Sequence, residues 1–142
     1  MKTAMAKAKR AHETNLLFSG KNGTGKTHLA VCLAKEGAVY RTLARICREA
    51  RRHKGKEKGK VTERYIRCKL LIIDEIGRQK FTDFEMNLLF EIIDGRWNNK
   101  VLTTLITNLT PEEFAATYSA ALLDRLRPEV AEFNWKSRRG AE

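Results

Sequence analysis

The stretch GKNGTGKT, Gly20 to Thr27, restricts what this chain can fold into more than any other part of it. It matches G-x-x-x-x-G-K-[ST] and lies between an apolar run, LLFS, and a helical pattern, THLAVCLAKE, so it reads as strand, tight loop, helix. Gly20, Gly23 and Gly25 let the backbone turn its N–H groups inward on a polyphosphate with no Cβ in the way, and the following helix adds its positive end. Lys21, Asn22 and Thr24 complete the loop. Lys26 is placed to neutralise β and γ phosphates, and Thr27 to put its hydroxyl on a bridging Mg2+. His28 reads as a neighbour of the loop and not a catalyst. The competing reading, a glycine-rich turn without a ligand, does not account for the flanking strand and helix.

Four short apolar runs punctuate the sequence: Leu16 to Ser19, Val39 to Thr42, Leu70 to Asp74 and Val101 to Thr107. Such runs suit strands buried on both faces of a parallel sheet. Between the last two lies TDFEMNLLFEIIDGRW, with Thr82 and Glu85 spaced as a capping box and Leu88, Leu89, Ile92 and Ile93 as a core stripe. TPEE gives a second helix start, with Thr110 as N-cap, Pro111 at the first helical position and Glu113 reaching back. The alternation implies an α/β fold of three layers, a parallel sheet flanked by helices, with its ligand site at the carboxyl ends of the strands. In 142 residues one domain is expected, over 13–142, after a basic lead-in helix or tail at 1–12.

Lys and Arg number 28 against 17 Asp and Glu, a formal charge of +11, which favours a polyanionic partner such as nucleic acid. From Arg41 to Lys60 there are nine Lys and Arg against Glu49 and Glu57, and HKGKEKGK has the composition of an exposed loop. A solvated face is the plainer account of that run. Cys32, Cys47 and Cys68 are odd in number and lack C-x-x-C spacing, which fits a reducing cytosol better than a disulfide framework or zinc site. No apolar stretch approaches the ~20 residues of a membrane span, and the first residues lack the apolar centre of a signal peptide. A cytoplasmic protein is expected.

The second chemical signal is KLLIIDEIG, where four apolar residues end in Asp74 and Glu75 at a strand's carboxyl end. This is the Walker B arrangement: Asp74 to hold Mg2+, directly or through water, and Glu75 to orient and polarise the water attacking the γ-phosphate. Asn108 closes the run VLTTLITN, where its amide can meet the attacking water or the γ-phosphate; otherwise it is a turn residue. Arg125, in LLDRLRPE, suits an arginine finger reaching a neighbouring subunit, or a surface arginine paired with Asp124.

These segments, in this order, resemble the DnaC-type helicase loaders and the IstB-type transposition helper ATPases, both AAA+ proteins. TNLLFSGKNGTGKTHLA, VYRTLARICREAR, KLLIIDEIG, FEIIDGR, LITN, LLDRLR and FNWKSRR carry the likeness, from Glu13 to Arg139, and it is closer to DnaC. The resemblance implies an AAA+ core that binds and hydrolyses ATP with Mg2+, binds single-stranded DNA under ATP control, and assembles head to tail with Arg125 completing the next subunit's site. It also implies a replicative helicase as partner, Phe84 on the helix after Walker B as a base-stacking residue, with core packing as the alternative, and Arg139 as the second sensor arginine. Relative to the family, the chain begins a few residues before the first strand, so the domain that grips the helicase is expected to be missing. VAEF is less apolar than the family's last strand, and the stretch His53 to Lys60 looks replaced or shortened. An IstB-like helper acting on duplex DNA with a transposase, or a non-hydrolysing nucleotide-binding module, are the alternative functions. GTPase and ABC readings lack N-K-x-D and L-S-G-G-Q.

Overall fold

The computed structural model describes residues 1–34, 37–77, 82–118 and 120–136. Its strands are β1 (Leu16–Gly20), β2 (Val39–Thr42), β3 (Leu70–Ile76), β4 (Leu102–Thr107) and β5 (Glu129–Phe133). Around them run α1 (Lys2–Ala8), α2 (Lys26–Leu33), α3 (Leu43–Arg52), α4 (Lys56–Arg67), α5 (Asp83–Asn98), α6 (Pro111–Thr117) and α7 (Ala120–Leu126). The strands pair in parallel in the order β2-β3-β4-β1-β5. The four expected strands are therefore present in the expected parallel sheet.

Strand alternation sorts the core into two layers, because successive side chains face opposite sides of the sheet. Leu17, Leu71, Ile73 and Leu105 pack with α3 to α7 on one face. Leu16, Phe18, Ile72 and Ile106 pack with α1 and α2 on the other. Residues 1–12, expected as a lead-in helix or tail, supply α1 and its exit turn. Ala4, Ala8 and Ala11 are buried there, and the Lys7 ammonium donates to the Val130 carbonyl at 2.9 Å. Both capping boxes form, Thr82 with Glu85 and Thr110 with Glu113, and Pro111 opens α6.

Two sequence expectations change. The weakly apolar EVAEF makes a full strand because its alternate residues, Ala131 and Phe133, are buried against β1's layer while Glu132 faces out. The stretch from His53 to Lys60 is an exposed loop only as far as Gly55. From Lys56 it is the first part of α4, stabilised by burial of Val61 and Tyr65, one turn apart.

Arg96 closes the far end of the fold. It is 1% exposed, and its guanidinium donates to the Tyr65 carbonyl (2.6 Å), the Cys68 carbonyl (2.8 Å), the Leu102 carbonyl (2.5 Å) and Thr103 Oγ1 (2.8 Å). One side chain thereby donates to carbonyls at the end of α4 and at the entries of β3 and β4.

Candidate functional site

The carboxyl ends of β1, β3 and β4 open into a cleft of about 620 Å3 lined by Asn22, Lys26, Thr27, Asp74, Glu75 and Asn108, among others. Three separate sequence signals thus converge on one place. The cleft also takes in Gly23, Gly25 and His28, whose imidazole lies 3.5 Å from the Cys32 sulfur.

The loop between β1 and α2 is held by its own side chains. Thr24, 3% exposed, donates from Oγ1 to the Lys21 carbonyl at 2.8 Å. Lys26, 7% exposed, donates from Nζ to the Gly20 and Lys21 carbonyls at 2.6 and 2.7 Å, and reaches Thr24 Oγ1 at 3.3 Å. Burial pulls the Lys26 ammonium below its ordinary range, and the charge of Asp74 works against that pull. Gly20 is required by close approach: a Cβ there would lie 2.3 Å from the Phe133 carbonyl oxygen, so β5 can abut the loop only where that position has no side chain.

Asp74 is 4% exposed and accepts three hydrogen bonds. Thr27 Oγ1 donates to its Oδ2 at 2.5 Å, the Tyr40 hydroxyl donates to the same Oδ2 at 2.6 Å, and the Glu75 N–H donates to Oδ1 at 2.6 Å. Burial, then the Asp74 hydrogen bond and charge, push the Tyr40 phenol well above its ordinary value, so it remains a donor across the working pH range. Glu75 takes φ 57°, a conformation rare for a residue with a side chain, and is exposed at the rim. Gly77 follows, where a Cβ would meet Leu109 Cδ1 at 2.8 Å. The Asn108 turn is in turn pinned by Thr107 Oγ1 donating to the Ile76 carbonyl (2.7 Å) and Ser19 Oγ donating to the Leu109 carbonyl (2.7 Å).

The remaining sequence candidates lie elsewhere. Arg125 is absent from the residues lining the cleft, and its guanidinium pairs with Asp94 of α5 at 3.2 Å, not with Asp124. Neighbouring residues on a helix diverge, whereas α7 packs on α5. Phe84 sits in the first turn of α5, packed on the core, with the Arg51 and Lys58 cations 4.8 and 4.9 Å from its ring centre. Arg139 falls outside the described residues.

Two residues of the site belong to no sequence motif for nucleotide chemistry. Tyr40 looks like core in the run VYRT; the signal was a polar-tipped aromatic on a strand ending beside the cleft. Trp135, in FNW, donates from Nε1 to the Thr24 carbonyl at 3.2 Å and so grips the phosphate loop from β5. A second cleft of similar size lies beside it, sharing Asn22 and Asn108 with the first.

A model of the IstB-like ATP binding protein family matches residues 5–139. The Escherichia coli K12 protein YdaV is 34% identical over 137 residues, 87% of this chain and 54% of that protein. The replicative helicase loader DnaC of the same organism is 31% identical over 137 residues, 88% of this chain and 56% of DnaC. The chain therefore spans about half the length of these curated relatives. A crystal structure of DnaI superposes with a TM-score of 0.78 at 17% identity, covering 97% of this chain and 84% of that one, which shows a shared fold. With nearly its whole length matched by that one family model, the chain belongs to the IstB-like ATP binding protein family.

Proposed function

We propose that the chain binds and hydrolyses ATP with Mg2+ and acts in DNA replication as a helicase-loader-like AAA+ ATPase whose grip on single-stranded DNA depends on the nucleotide. The observation that carries this reading is the convergence of Lys26, Thr27, Asp74, Glu75 and Asn108 on one cleft.

The residues present fit Mg2+ and a nucleotide polyphosphate. With the Thr27 hydrogen committed to Asp74, a lone pair on Oγ1 is left for a hard cation, and Asp74 supplies carboxylate charge behind it. Bound Mg2+ would supply neutralisation of the β and γ phosphate charge. Loop N–H groups and α2's N-terminus would bind the phosphates, and Lys26 would exchange its loop carbonyls for phosphate oxygens. Glu75 would orient and polarise the attacking water, with Asn108 holding it or the γ-phosphate through its amide. Arg125 would serve the site of a neighbouring copy in a head-to-tail assembly, which requires it to leave Asp94.

For DNA, α3 and α4 together hold nine Lys and Arg against three Glu, on a pair of packed helices beside the start of α5. Phe84 with Arg51 and Lys58 over it would make a composite platform for a base, stacking and charge combined. A replicative helicase is the protein partner this reading names. The resemblance to IstB-type helpers carries a second reading, a transposition helper working with a transposase on duplex DNA.

The test is ATP binding and DNA-stimulated hydrolysis by wild type, Lys26→Ala and Glu75→Gln. Lys26→Ala is expected to lose binding, and Glu75→Gln to bind but turn over on the order of 100-fold more slowly, within the range for a positioned acid–base group. Turnover unchanged in both variants would sink the site. Binding with background turnover by wild type, with DNA present and at high protein concentration, would leave a nucleotide-dependent binding module. Preference for duplex over single-stranded DNA would favour the transposition reading.

A further inference from the structure

We propose that Tyr40 is a positioning residue for Asp74, orienting its carboxylate so that it holds the metal through water on Oδ1; this rests on the Mg2+-nucleotide reading above.

The parallel register places Tyr40 opposite Ile72, and Thr42 opposite Asp74. Positions 40, 72 and 74 share one face of the sheet, since side chains alternate along each strand. Tyr40 starts one pleat back from Asp74, and the length of a phenol carries its hydroxyl to Oδ2 at 2.6 Å. A shorter side chain at position 40 would stop inside the core that its ring partly joins.

An ionised carboxylate offers about four acceptor positions. Thr27 and Tyr40 occupy both positions of Oδ2, and the Glu75 N–H takes one of Oδ1. One position on Oδ1 is left, which suits a single donor such as a metal-bound water, while Oδ2 has none to give a cation. The three donors also fix the rotamer: Thr27 from α2, Tyr40 from β2 and the backbone of β3 itself. Thr27 has a second task at the metal, so the Tyr40 hydroxyl is the side-chain donor dedicated to Asp74. Outer donors of this kind typically change metal affinity 10- to 100-fold when removed.

The experiment titrates Mg2+ against ADP binding to the full chain, followed with a fluorescent ADP analogue, for wild type and Tyr40→Phe. The ring is kept, so thermal melting without ligand is expected to be unchanged. ADP affinity without Mg2+ is expected to stay within about twofold, while the Mg2+ concentration for half-maximal tightening rises about tenfold. In an Asp74→Asn background Tyr40→Phe is expected to add nothing, because two changes acting through one group are not additive. An unchanged or lowered Mg2+ requirement in Tyr40→Phe, or an equal effect in the Asp74→Asn background, would overturn the role. Wild type that binds ADP without any response to Mg2+ overturns it as well. Wild type that binds neither ADP nor ATP instead removes the functional reading itself.

Discussion

Cys47 and Cys32 are chemically opposite sites on one chain. Cys47, on the inner side of α3, has its thiol pushed up to about 11 by burial and then by Glu85, with Arg51 acting the other way. A raised acid group keeps its proton longer in the native state than in the unfolded one. Its contribution to stability is therefore complete below the ordinary thiol range and is lost as pH rises through about 11. Cys32 is exposed on α2. Since the thiolate is the reactive form, iodoacetamide at pH 8 is expected to modify Cys32 in the native protein, and Cys47 only after denaturation, as read by peptide mass spectrometry. Trp135 gives a second test at this scale. Trp135→Phe keeps the ring against Phe133, 4.9 Å away between centroids, and removes the N–H that holds Thr24. Nucleotide binding is expected to weaken about three- to tenfold with melting nearly unchanged, measured by calorimetry.

At the scale of elements, the signals that were legible were those that act within a few residues. Capping boxes at Thr82 and Thr110 and the glycine loop before α2 declare themselves by spacing alone, because each partner is one turn away. The start of α4 has the composition of a loop since its first turn is lysine-rich, and its helicity depends on Val61 and Tyr65 meeting α3 and α5. Propensity yields to tertiary burial there. Arg96 shows the same dependence from the other side. Read as the end of the FEIIDGR helix, it is in fact the clamp on α4, β3 and β4. Arg96→Leu would take the guanidinium donors from the carbonyls of Tyr65, Cys68 and Leu102. A loss of about 3 kcal/mol or more is expected in denaturant unfolding, from a cost of ~1–3 kcal/mol per unsatisfied buried group. A loss under about 1 kcal/mol would mean that these carbonyls find other partners.

For the whole molecule, the charge of +11 is concentrated by the fold, not merely carried by it. The pairing of α3 with α4 brings Arg48, Arg51, Lys56 and Lys60 onto neighbouring helices. Each phosphate contact contributes about 0.7 to the slope of log affinity against log salt for a single strand. Replacing Lys56, Lys58 and Lys60 together by Gln is expected to reduce that slope by about 2 in a binding titration with labelled oligonucleotide. An unchanged slope would move the DNA away from α4. Assembly is tested separately: if Arg125 acts in a neighbouring copy, specific ATPase activity rises with protein concentration, and Arg125→Ala flattens that rise. In the single chain Arg125 is held by Asp94, both partly exposed, a pair weak enough to be exchanged for a phosphate.

The sequence by itself determined the strand–loop–helix that begins the site, the acidic pair at the end of β3, and the parallel three-layer architecture. These follow from short-range chemistry: glycines where the backbone must turn on phosphate, apolar runs where strands are buried on both faces, acids where an apolar run stops. What only the tertiary structure decided was which side chains touch across the sheet. Tyr40 reaches Asp74 through the β2–β3 register, Trp135 reaches Thr24 because β5 lies beside β1, and Arg125 pairs with Asp94 because α7 packs on α5. Strand order and register are set by the collective packing of the core, and no local spacing in the sequence encodes them.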